Sequence, residues 1–267
     1  MGQIIEFPDS KKLKETIRKL RKQLEDLVLE RDELRFVVCE NIKTAYMLIF
    51  GGLEYNLYEA YCKFLRLRRK KEMIQAKINR QEKVQAEVIE RMLDKEFSQY
   101  RKKLDEKISD MNRALARSKM DVLSEEDTAE VKKLYRSIVK NLHPDLNPKT
   151  TEAEKELFYQ ATEAYEQGDL CALQVIYQIA DKGADGEEMT SSLSGQEKEK
   201  QRLEKLLDQV KAEIEKIKTS PPYIWKIYVE DERQKKEKLS QLQKELESFQ
   251  AGIRTQEDYI RTLQENK

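Results

Sequence analysis

Glycine and proline are scarce in this chain, 8 and 5 of 267 residues. With charged residues at 38% and hydrophobic residues at 39%, so few turn-formers suit long exposed helices better than a thick core. Cysteine is nearly absent. Cys39, Cys62 and Cys171 stand alone without a CxxC pair, which excludes a zinc ribbon and a thioredoxin-type site and leaves reduced cytosolic thiols as the reading. A single histidine, His143, supports neither a metal site nor a Ser-His-Asp triad by itself. No glycine-rich phosphate cradle occurs, so the chain is not expected to be an enzyme or to hydrolyse ATP alone, and no cofactor is implied. Neither sign of charge is in excess: 51 Lys and Arg balance 51 Asp and Glu. That balance gives no general pull toward nucleic acid or anionic membrane.

Long apolar runs are missing too. The most apolar window, residues 46–53, is far short of the ~20 residues that span a bilayer, so no membrane span is expected. Residues 1–10 lack a cationic segment followed by an apolar one. Gly2 does not read as a myristoylation site, because Glu6 stands where Ser or Thr is wanted. The expected location is cytoplasmic.

What the chain does contain is helical periodicity. Leu13, Ile17, Leu20, Leu24, Leu27, Leu34 and Val38 step by three and four, with Ile42, Ala45 and Ile49 continuing the seam. Gly51-Gly52 then suggests a tight reversal. A second seam runs through Leu53, Leu57, Ala60, Phe64, Leu67, Ile74, Ile78, Val88 and Met92, and helical spacing persists to Leu115. Unbroken, residues 53–118 would extend roughly 100 Å. The expectation is an antiparallel helical hairpin over residues 10–121, folded at the two glycines, after a tail at 1–9. In that register Arg31 and Lys71 share one level, and Glu30, Glu33 or Glu72 must neutralise them.

Two features of this region carry alternative readings. The run Arg66-Leu67-Arg68-Arg69-Lys70-Lys71 is either a nucleic-acid or acidic-lipid patch or the solvated face of a long helix; no nucleic-acid module accompanies it, and the solvated face is favoured. The aromatics Tyr46, Phe50, Tyr55, Tyr58, Tyr61 and Phe64 exceed what one hairpin stripe buries. They either contact a partner, a client or a second copy, or pack against the C-terminal helices.

Residues 122–181 read as a separate helical module. Ser124 with Asp127 resembles a capping box, and Thr151 with Glu154 starts a second helix. Gly168 ends that helix and Asp169 caps the next. Val131, Leu134, Tyr135, Ile138 and Leu142 make one apolar face of the first helix. Lys132, Arg136 and Lys140 form a straight cationic stripe beside it. At its end stands His143-Pro144-Asp145. Proline fixes its own φ and biases His143 toward extended geometry, so the helix stops and Asp145 is held at the tip. A fixed carboxylate beside a row of bases suits charge-assisted bonds to a partner's arginine and attraction to an acidic surface. Residues 182–195 read as a linker. Residues 196–267 read as a second helical hairpin, interrupted at Ser220-Pro221-Pro222. The fold class is all-α: long antiparallel coiled-coil hairpins flanking a small helical module.

Over about sixty residues, roughly 122–180, the chain resembles the J domain of the DnaJ co-chaperone family. The likeness rests on Leu134-Tyr135-Arg136, on Leu142-His143-Pro144-Asp145-Leu146-Asn147-Pro148, on Leu157-Phe158 and on Glu163-Ala164-Tyr165-Glu166. It implies docking on the ATPase domain and linker of a DnaK-type chaperone, with His143, Pro144 and Asp145 triggering ATP hydrolysis and Lys132, Arg136 and Lys140 docking. Tyr135 and Phe158 match family core positions. The chain departs from the pattern in three respects. The short first helix with its Tyr-x-x-Leu-Gly motif is missing, which leaves Leu115 or Met120 to supply its packing. Ser137 stands where many members carry a base. There is no Gly/Phe linker or zinc module. The function implied is a co-chaperone whose coiled coils select client or location, with self-association possible. The competing reading is a coiled-coil scaffold with a degenerate J domain.

Overall fold

The computed structural model describes residues 8–120, 123–180 and 193–265. The tail and linker expected from the sequence fall largely outside these residues. At their edges, Pro8 and residues 193–195 are already helical.

Among the described residues every element is a helix and no strand occurs. In order they are α1 (Pro8–Asp32), a π-helical segment (Glu33–Val38), α2 (Cys39–Tyr46), a second π segment (Met47–Gly51), α3 (Gly52–Asn79), α4 (Ala86–Glu96), α5 (Ser98–Ser118), α6 (Glu125–Leu142), α7 (Glu152–Gln167), α8 (Leu170–Ala180), α9 (Leu193–Lys218), a 3₁₀ turn (Tyr223–Trp225), α10 (Lys226–Glu230) and α11 (Glu232–Glu265).

The predicted reversal at Gly51-Gly52 is not there. Both glycines are helical, with φ/ψ of −55/−44° and −63/−41°, and helix continues unbroken over Ser10–Asn79. Gly51 serves close packing instead: a Cβ there would meet Met111 Cγ at 3.1 Å. The chain reverses at residues 80–85, where Gln81 takes φ 57°. It is helical again from Ala86 and breaks once more at Phe97. Over its 70 residues the helix Ser10–Asn79 contains an 18-residue window that meets the length and composition of a membrane span. Core helices of soluble proteins reach the same length and composition.

The chain divides into two compact units, Met1–Asn41 with Asp121–Ile224, and Ile42–Met120 with Trp225–Lys267. In the second, α4 and α5 return antiparallel along α3: Arg66 pairs with Glu90 at 2.5 Å and Lys107 with Glu54 at 3.9 Å. Helix α11 lies on α3 in the parallel sense. Tyr46 stacks on Trp225 at 4.6 Å, Phe64 meets Phe249 at 5.8 Å, and Lys63 pairs with Glu257 at 2.9 Å. The aromatic cluster is thus spent largely on the C-terminal helices, as one of its two readings held. The basic run is also spent: Arg66, Arg68, Arg69 and Lys70 each pair with a carboxylate, and Lys71 lies over the Tyr259 ring. Little free positive field remains for a polyanion.

The first unit is also built on a parallel pair. Ser10 donates to Gln196 at 3.3 Å, Arg21 pairs with Glu199 at 3.1 Å, and Arg31 with Glu213 at 3.4 Å. Ile17, Leu24 and Val28 of α1 and Leu203, Leu207, Val210 and Ile214 of α9 are buried together. The antiparallel hairpins expected over 10–121 and 196–267 are therefore corrected. Proline-rich 220–222 does end α9, but an N-terminal helix of its own unit covers each C-terminal arm. An apolar seam fixes which face is buried and leaves the partner and its direction open. Within its own unit Arg31 pairs with Asp32 and Glu213, and Lys71 lies over the Tyr259 ring.

Helices α6, α7 and α8 join the α1/α9 core. Val131, Tyr135, Ile138, Leu142, Phe158, Tyr165, Leu173 and Ile176 belong to the same buried cluster as Ile17 and Leu203. Each side chain of this size contributes roughly 1.5–3 kcal/mol when fully buried.

Candidate functional site

Helix α6 begins where the Ser124 hydroxyl accepts the Asp127 N–H at 3.0 Å. Glu125, Glu126 and Asp127 in its first turn suit the positive end of the helix dipole. It stops at His143, which takes φ −63° and ψ 126°, the extended geometry that the following proline demands. The turn after it is tied back to the helix. Leu146 and Asn147 N–H donate to the His143 carbonyl at 3.1 and 2.9 Å, and the Asn147 amide donates to the Lys140 carbonyl at 2.9 Å. Thr151 and Glu154 form a full capping box at the start of α7. Gly168 ends α7 at φ 70°, and Asp169 caps α8 by accepting the Ala172 N–H at 2.9 Å. The local signals read from the sequence are all used.

These constraints set the tripeptide at the end of α6. Pro144 and Asp145 are half-buried, and His143 is only 4% exposed. Its ring meets Phe158 edge-on at 5.0 Å, and its Nδ1 accepts the Asp145 N–H at 3.0 Å. Arg31 Nη2 of α1 lies 3.3 Å from its Nε2. A neutral imidazole has one lone pair to offer and one N–H. The backbone amide claims the lone pair, so Nε2 carries the hydrogen and Arg31 meets it as a second donor. That contact is held by other bonds, not by His143. Arg31 is hydrogen-bonded to Asp32 at 2.8 Å and paired with Glu213.

Asp32 is the hinge of this cluster. It is 1% exposed, and it also accepts the Tyr135 hydroxyl at 2.9 Å. Tyr135 stacks on Tyr165 with ring centroids 4.0 Å apart. Burial, then the Asp32 charge, pushes the Tyr135 pKa far above the phenol range; burial lifts Tyr165 to about 12. On Arg31, burial opposes the charge, but Asp32 and Glu213 outweigh it and hold the pKa above the ordinary guanidinium range. On His143, burial lowers the pKa; Asp145 and Asp32 pull it back up, while Arg31 depresses it further. Helix α9 adds Arg202, anchored by Glu199 at 2.8 Å, which donates to the Asp145 carbonyl at 3.0 Å.

The basic stripe is exposed on α6, and two of its three members face acids of the first helical segments. Lys132 pairs with Glu33 at 2.6 Å and Arg136 with Asp26 at 3.9 Å. Lys140 is exposed. Sequence reasoning gathered the stripe and the tripeptide correctly onto one module, and it missed Asp26, Arg31, Asp32, Glu33 and Arg202 around them. The signal is Glu30-Arg31-Asp32-Glu33, which interrupts the α1 seam with four consecutive charges. Leu115 and Met120 do not supply the missing packing. They are 44% and 51% exposed, and Ile17, Leu24 and Val28 of α1 fill that role.

Residues 118–167 match the family model of the DnaJ domain. No curated protein and no solved structure matches the chain. The match covers the capped helix α6, the tripeptide and helix α7, so over these residues the chain is similar to a DnaJ domain, a likeness that implies a DnaK-type chaperone as partner.

Proposed function

We propose that this protein is a co-chaperone that docks a DnaK-type chaperone on α6 and the His143-Pro144-Asp145 turn and stimulates its ATP hydrolysis. The chain itself performs no ATP chemistry, and the coiled coils of the second unit choose the client or the site, in the cytoplasm. The observation that carries the reading is the half-exposed Asp145, fixed at the end of a base-lined helix by a proline and four backbone-directed hydrogen bonds. Such a carboxylate is positioned for a charge-assisted bond to a partner arginine. Turnover of a DnaK-type ATPase, measured with and without the protein, tests this. Stimulation by wild type and its loss, by an order of magnitude or more, with Asp145→Asn is the expected outcome. Equal turnover with both chains defeats the reading.

A scaffold with a silent J domain is the second reading. It is favoured by one observation, the near-complete burial of His143 under Arg31. It predicts a stable partner whose capture is indifferent to His143→Gln. A pull-down with that variant separates the two.

A further inference from the structure

The J module's partner face is already engaged by the chain itself, and the engaging groups match both signs of charge that a chaperone would have to supply. Acids meet the bases: Glu33 on Lys132 and Asp26 on Arg136. Bases meet the tripeptide: Arg31 stands at His143 and acts electrostatically on Asp145, and Arg202 binds the Asp145 carbonyl. None of the stripe contacts is needed for the core, which is closed by Val131, Tyr135, Ile138 and Leu142 on another face of α6. The stripe pairs are also solvent-exposed: Lys132 and Glu33 keep 49% and 43% of their side-chain surface, and Arg136 and Asp26 keep 61% and 56%. Exposed pairs of this kind hold weakly and exchange readily.

We propose that helix α1 and the π segment after it form a built-in competitor of the chaperone: Asp26, Arg31 and Glu33 close the docking face, and a DnaK-type chaperone must displace them to bind. The inference rests on the docking function proposed above. Its particular content is that the resting chain is closed and that the site of closure is α1. Entry is through what stays outside, exposed Lys140 and half-exposed Asp145. Arg31 meets Nε2 of His143 as a second donor, so His143 gives it no hydrogen bond, and displacement means that the Asp26, Arg31 and Glu33 side chains let go while Ile17, Leu24 and Val28 of α1 stay in the core. A competitor that fills the face part of the time weakens apparent affinity by the fraction of molecules closed.

The test uses the full chain and a DnaK-type chaperone in its ATP state. Binding is measured for wild type and for the double variant Asp26→Lys, Glu33→Lys, with helical content checked by circular dichroism. Hydrogen exchange is followed over residues 24–38. The variant is expected to bind about three- to tenfold more tightly, the range that two exposed pairs allow. Chaperone binding to wild type is expected to speed exchange in 24–38. Adding Asp145→Asn to the variant removes the gain. Complexes of equal strength with both chains, with 24–38 as protected as before, overturn the inference and leave the docking function standing. No complex with either chain, at a concentration where another J domain binds, removes the docking function and the inference with it.

Discussion

His143 is the one side chain whose charge changes near neutral pH, and its surroundings hold it neutral. Both its nitrogens are faced by donors, Asp145 N–H at Nδ1 and Arg31 at Nε2. Protonation would place an N–H against each. Its folded pKa lies below the ordinary imidazole value of 6.5. A depressed folded pKa means that the unfolded chain binds the proton more readily, so the stability contributed is full above the unfolded value and is lost as pH falls through the folded one. Asp145, Asp32 and Glu213 face the ring from three elements and soften this loss without reversing its sign. Thermal melts are expected to show the first unit losing stability as the pH falls below 6.5, the ordinary imidazole value. Replacing the only histidine with His143→Gln should flatten that dependence; a melt of the variant that falls equally over the same range would place the titration elsewhere. Much of this residue scale is legible in the sequence. Proline after His143, the caps at Ser124, Thr151 and Asp169, and Gly168 each follow from local backbone chemistry. The groups that surround the tripeptide do not, because Arg31 reaches His143 and Arg202 reaches the Asp145 carbonyl from residues far apart in the chain.

At the scale of the elements, glycine positions explain where periodicity misleads. A glycine pair permits a reversal but does not require one. Gly51 stays helical because Met111 packs against it, and no sequence signal distinguishes that use from a turn. Gly252 of α11 shows the same use more sharply. A Cβ there would meet the Phe64 ring of α3 at 2.9 Å, so the ring must shift. Alanine favours a helix over glycine by about 1 kcal/mol; overpacking costs typically 1–3 kcal/mol. Gly252→Ala is therefore expected to lower the stability of the second unit, by about 1 kcal/mol net. In a Phe64→Leu background the same substitution should become neutral or stabilising, which a double-mutant cycle by urea unfolding reads directly. A loss of the same size in both backgrounds would show that the ring is not the obstacle. The first seam faces a covering helix as expected, whereas the second slips beyond the break at residues 80–85, where Ile89 and Leu93 are buried and Met92 is exposed; the pairing of both seams differs from the expectation. A stripe of Leu and Ile records that something covers it, and α1 is covered by α9 in the parallel sense although every hairpin argument favours a neighbour in sequence.

For the molecule as a whole, two cores share one chain, and Trp225, its only tryptophan, lies in the second. Stacked on Tyr46, it reports that unit alone, whereas circular dichroism reports both. Two-state behaviour requires coincident transitions. Lowering the pH is expected to move the dichroism transition while the tryptophan fluorescence transition holds its midpoint, because the titrating His143 sits in the first unit. Coincident curves at both pH values would mean that the two units unfold as one.

Parallel pairing also sets the order in which this protein can be completed. The Ser10–Gln196 bond joins residues 186 positions apart, and no short connection can bring such ends together; the closure entropy must be met before any contact rewards it. During synthesis the whole J domain emerges while α9 is still unmade. Until then α1 has only half its cover, and Arg202 is not there to clamp Asp145. A newborn copy thus lacks the Arg202 bond to the Asp145 carbonyl, which is added only with the last third of the polypeptide.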